Sequence, residues 1–102
     1  MIEAMTSDRM NLEQDWLQLT RETLPSLAAS RSWPVREDHC FQRILLDAVC
    51  GGVWYDHVNG RPAYRRIDAE RLAAAVALGE RVAKGEEDLH ALNAQSLSWR
   101  RG

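Results

Sequence analysis

Long hydrophobic runs are missing from this sequence. Its uninterrupted apolar stretches last only a few residues, far below the roughly 20 that a membrane-spanning helix needs, so no membrane partner is expected. Cysteine is scarce. Cys40 and Cys50 are the only two among 102 residues, and ten positions along one helix would separate them by about 15 Å, beyond the ~7 Å reach of a disulfide. Both are therefore expected as free thiols, as in a reducing compartment. Charge of one sign is not in excess either. Thirteen Lys and Arg stand against 15 Asp and Glu, for a formal charge of −2, which gives no global reason to bind nucleic acid or an anionic membrane. Nor is there a repeat, a low-complexity tract or a secretory pattern: Glu3, Asp8 and Arg9 interrupt the start, and no apolar centre follows. A cytoplasmic location is the resulting expectation.

What remains is ordinary globular composition, with 45% hydrophobic and 27% charged residues. A chain of this length suits one modest core. The apolar periods predict an all-α fold, a small four-helix domain with a Trp/Tyr-rich loop or short irregular hairpin between helices two and three. Residues 1–10 show no period and read as a flexible tail, leaving residues 11–102 as a single helical domain. Leu12, Trp16, Leu19 and Leu27 set the first helix. Pro25 should kink or restart it, because proline lacks an N–H and disfavours helical geometry at Leu24.

The second helix concentrates the distinctive chemistry. Trp33-Pro34-Val35 leads in, Asp38 is a plausible N-cap, and Phe41, Ile44, Leu45 and Ala48 make its buried face before Gly51-Gly52 end it. Leu46 falls off that face, so the helix is buried on two sides or meets another chain. Between the second and third helices, Asn59-Gly60 is a hairpin signal that Pro62 weakens. Asp68 then caps a third helix with Leu72, Ala75, Val76, Gly79 and Val82 inward, ending near Lys84-Gly85. A fourth begins in the acidic 86–88 segment and carries Leu89, Leu92 and Leu97 inward.

His39, Arg43 and Asp47 recur every four residues and line one stripe of the second helix. A histidine, a fixed cation and a carboxylate so placed could bind a small anion or move a proton. The plainer reading is an exposed Arg43–Asp47 pair of little energetic worth. Trp54, Tyr55, His57, Tyr64 and Arg65 form a second group, able to stack on a flat or anionic ligand or simply to seal a small core. No metal site is expected: Cys-x-x-Cys and paired-histidine spacings are both lacking. No cofactor is expected, and Cys40 reads as a small apolar residue rather than a nucleophile.

The strings Trp33-Pro34-Val35, Asp38-His39-Cys40-Phe41, Trp54-Tyr55-Asp56 and Trp99-Arg100 give the chain, over about residues 16–101, a resemblance to a small family of bacterial and fungal helical proteins. Some members of that family carry the label GNAT acetyltransferase. The resemblance implies no site residues. A GNAT fold cradles its pyrophosphate with an Arg/Gln-x-x-Gly-x-Gly/Ala turn that opens a helix, whereas Gly51-Gly52 here follow one. The sequence points first to a non-catalytic protein-interaction module, with homodimerisation through Leu46 and the alanine-rich third helix. The second reading is a small-molecule binder or minor enzyme using His39, Arg43 and Asp47 with the Trp54–His57 loop. A pocket containing both groups would favour the second.

Overall fold

The apolar periods become helices, and the described residues contain no strand. The computed structural model describes residues 2–101, with side chains from residue 8 onward. Helix α1 spans Ile2–Gln18, runs into a π-helical turn at Leu19–Thr23, and continues as the short α2, Leu24–Ala28. Helix α3 covers Asp38–Cys50, α4 is a single turn at Ala63–Arg66, α5 spans Ala69–Ala83 and α6 Leu89–Arg101. The expected tail is thus helical from Ile2, and the first helix begins nine positions before Asn11. Arg9 ties it down by donating to the carbonyls of Tyr64 and Ile67, each at 2.8 Å, and to Glu13 at 2.8 Å.

Pro25 neither stops nor restarts the helix. Leu24 keeps right-handed helical angles and its N–H bonds to the Leu19 carbonyl, five residues back. Such a widened turn relieves the clash between a proline ring and the carbonyl four residues earlier, so the helical angles continue and Pro25 falls in the first turn of α2. The end of α2 closes at Ser32, which has φ 55°. Its N–H reaches Ala29 O, and the Trp33 N–H reaches Ala28 O. This closure turns Trp33 inward against Phe41, edge to face at 5.7 Å.

Helix α3 is the centre of the core, packed against α5, α6 and the π turn, while α1 lies along α5. Phe41, Ile44, Leu45 and Leu46 are all buried. Leu46 is only 3% exposed within the single chain, so α3 is buried on two sides. Glu37, extended at φ −104° and ψ 152°, takes the N-cap position in place of Asp38, which begins the helix and accepts from the His39 N–H at 2.8 Å. Gly51 ends it at φ 71°.

No hairpin forms after α3. Trp54–Asp56 make a single 3-10 turn, and the residues after Pro62 coil into α4. Asp68 caps α5 through the Arg71 N–H at 3.0 Å. Asp88 caps α6 rather than sitting within it, accepting from His90 and Ala91. Leu89 is buried as expected, but Leu97 is 41% exposed, on the outer side of α6. Among the described residues no helix is long and apolar enough to cross a membrane.

Candidate functional site

A cleft of about 530 Å³ opens where the end of α1 and the π turn, the outer side of α3 and the loop before α4 meet. Trp16 and Arg21 come from the first wall, His39, Gln42, Arg43 and Leu46 from α3, Trp54, Arg61 and Pro62 from the stretch between α3 and α4, and Ala63 and Tyr64 from α4 itself. Five of the nine residues singled out from sequence therefore share one cavity: His39, Arg43, Leu46, Trp54 and Tyr64. The other four lie elsewhere. Asp47 is fully buried behind the wall. Tyr55 is 50% exposed, under the Arg100 guanidinium at 5.4 Å. His57 is exposed and lies over Gly52, and Arg65 is exposed beside the Tyr64 ring.

The stripe of α3 does not act as the simple surface pair its spacing suggests. Arg43 turns away from Asp47 and donates to Ser96 Oγ at 2.7 Å and Asn93 Oδ1 at 2.8 Å, both on α6. Ser96 in turn donates to Asp47 Oδ2 at 2.6 Å. Asp47 also receives Arg100 Nε at 2.9 Å and Arg100 Nη2 at 3.1 Å, and its Oδ1 accepts the Trp54 N–H at 2.9 Å. One carboxylate thus fixes both the Trp54 backbone and, through Ser96, the Arg43 side chain. The hydrogen bond from Arg100 to Asp47 pushes the arginine above its ordinary range, against the opposing effect of burial. His39 is different, with its side chain 72% exposed at the rim and Nδ1 3.5 Å from Glu37 and 3.6 Å from Asp38.

Asp47 is fully matched by Arg100, which leaves the Arg43 charge with neutral partners only. Among the described residues no carboxylate lies within ion-pair distance of Arg43 or Arg61. Arg61 stacks over the Trp54 ring at 5.3 Å. Arg21, at the outer edge, is 4.0 Å from Asp38. Among the described residues no carboxylate lines the cleft itself, while Glu37 and Asp38 sit beside His39 at its rim. Its walls are therefore cationic and aromatic, although the chain as a whole is slightly acidic.

No protein-family model, curated protein or solved structure matches the chain. The site must be argued from its own geometry. Trp16 and Arg21 belong to it although the sequence reading did not consider them; Gln42, which sits beside the stripe one position before Arg43, and Arg61, which neighbours the aromatic group in sequence, belong to it as well. Trp16 is indistinguishable in sequence from any other helical core residue, and Arg21 reaches the cleft only through folding.

Among the described residues no cluster of three or more His, Cys, Asp or Glu is placed to hold a metal ion. Cys50 is buried, and that burial pushes its thiol up; Arg71 opposes the shift, while Asp47 and Asp68 add to it. A thiol held in its neutral form is a poor nucleophile. Cys40 is only partly buried, more open than a small core residue would be.

Proposed function

We propose that this protein is a small-molecule binding protein whose cleft takes an anionic ligand with a flat apolar part. One observation carries the reading: Arg43 and Arg61, neither paired with a carboxylate of the described residues, share a cavity with Trp54 and Tyr64. Guanidinium groups suit planar or tetrahedral anions because they present several donors in a fixed fork. A low-dielectric aromatic wall strengthens that attraction and offers a stacking surface. The volume lies within the roughly 300–1,000 Å³ usual for small-ligand sites. Free thiols fit a reducing cytoplasm, which we propose as its location.

The competing reading, a protein-interaction module or homodimer, rested on Leu46 and on the small residues of the alanine-rich helix. Leu46 is buried within the chain, and Gly79 faces Leu19 and Leu45. Both features have intramolecular explanations. The cleft therefore gives the small-molecule reading the stronger support.

Calorimetry with phenyl phosphate and with benzoate tests it. The wild-type protein should bind at least one of them, more weakly as salt is raised. Arg43→Ala should lose about tenfold or more, corresponding to a charge-assisted hydrogen bond of roughly 1.5–3 kcal/mol. Trp54→Ala should lose a comparable factor. Absence of heat with both probes, or equal binding by all three proteins, would count against the proposal.

A further inference from the structure

We infer that the ligand is a mononucleotide, a dianionic phosphate joined to a heteroaromatic ring whose edge Gln42 reads; this rests on the anion-binding reading of the same cleft. The first argument is charge. Two arginines that line the cleft, Arg43 and Arg61, lack a carboxylate partner among the described residues; Arg43 gives one N–H from each terminal nitrogen to α6 and keeps its remaining donors, and Arg61 lies over Trp54. A carboxylate would answer one of them, whereas a phosphate monoester, carrying about −1.5 to −2 near neutral pH, answers both.

The second argument is the orientation of Gln42. Thr20, fully buried in the π turn, gives its hydroxyl proton to the Trp16 carbonyl at 2.9 Å. Toward Gln42 the same hydroxyl can only accept. The contact at 3.0 Å must then be made by Gln42 Nε2, which settles which end of the amide is which. Gln42 consequently keeps its Oε1 and a second N–H unspent, and no buried polar side-chain atom among the described residues lacks a partner. The free end of the amide is therefore open to solvent, on a residue that lines the cleft. An acceptor beside a donor matches the mixed hydrogen-bonding edge of a nucleobase, the pairing by which a side-chain amide reads adenine. Trp54, with Arg61 stacked at 5.3 Å, adds the aromatic and guanidinium planes on which single bases are commonly held.

The test is a titration, by tryptophan fluorescence and calorimetry at fixed ionic strength, with the four common nucleoside monophosphates, the parent nucleosides, phenyl phosphate and benzoate. At least one monophosphate should bind tenfold or more tightly than its nucleoside and than phenyl phosphate. The four should differ among themselves by several fold. Gln42→Leu should erase that difference among the four. Binding of phenyl phosphate or benzoate as tight as that of every nucleotide would overturn this inference and leave the anion-binding reading standing. A lack of preference among the four bases in the wild-type protein would overturn it too, independently of whether the variant folds. No binding by any probe would remove both.

Discussion

Asp47 is the side chain on which the polar order around the cleft depends. It is fully buried, yet all its bonds are matched by Arg100, Ser96 and the Trp54 N–H. Removing one member of a buried ion pair is costly because the other is left with its charge unanswered. Asp47→Ala should lower stability by about 3 kcal/mol in urea melts, toward the lower end of the usual range because Arg100 remains partly exposed. Asp47→Asn should lose less, since an amide oxygen can still accept from Trp54. The spacing of His39, Arg43 and Asp47 revealed that they share a side of one helix. It could not reveal that Arg43 and Asp47 meet through Ser96, about fifty positions away on α6. Four-residue periodicity describes the helix that carries a residue, and says nothing of the element that covers it.

At the scale of elements, α5 comes close to the π turn at Gly79. A Cβ added at Gly79 would run into the Leu19 side chain and lie 3.1 Å from Leu45 Cδ1. Glycine is otherwise unfavourable inside a helix, costing about 1 kcal/mol relative to alanine. Overpacking costs roughly 1–3 kcal/mol, so the crowding outweighs the gain in propensity. Gly79→Ala should therefore be destabilising by about 1 kcal/mol, seen as a lower urea midpoint with an unchanged slope. A stabilising effect would show that Leu19 can move aside.

The helices around this contact were legible in outline. Glycines and aspartates mark the ends of α3, α5 and α6, and apolar periods mark their inner faces. The π turn was not, because Pro25 signals only that regular hydrogen bonding must change, and the widened turn is one of several solutions. The Asn59-Gly60 signal misled for a related reason. A turn dipeptide specifies local geometry, while a hairpin also needs two strands with somewhere to pack. Here Arg9 instead holds the end of α4 by its Tyr64 carbonyl and the adjoining Ile67 carbonyl.

The whole molecule measures 43 × 31 × 20 Å, and its thin dimension matches two helices of about 10–12 Å stacked in layers. Such a slab has room for one small core, and the cleft opens where α1, α3 and the loop before α4 converge. That convergence joins residues from 16 to 64, which explains why the two candidate groups could be named from sequence but not placed together. It also brings Arg21, Arg43 and Arg61 to one cleft in a chain with a formal charge of −2, while Asp47 is paired with Arg100 and Glu13 with Arg9.

The most direct test of this account is an NMR titration of the protein with phenyl phosphate, following backbone amides, tryptophan indoles and arginine side chains together. The account predicts shifts centred on the Trp54 indole, the Arg43 and Arg61 guanidiniums and the amides of residues 61–64, with Trp33 and Leu97 unmoved. No shifts, or shifts centred instead on the second groove, lined by Asp15, Gln18, Val76 and Glu80, would contradict it.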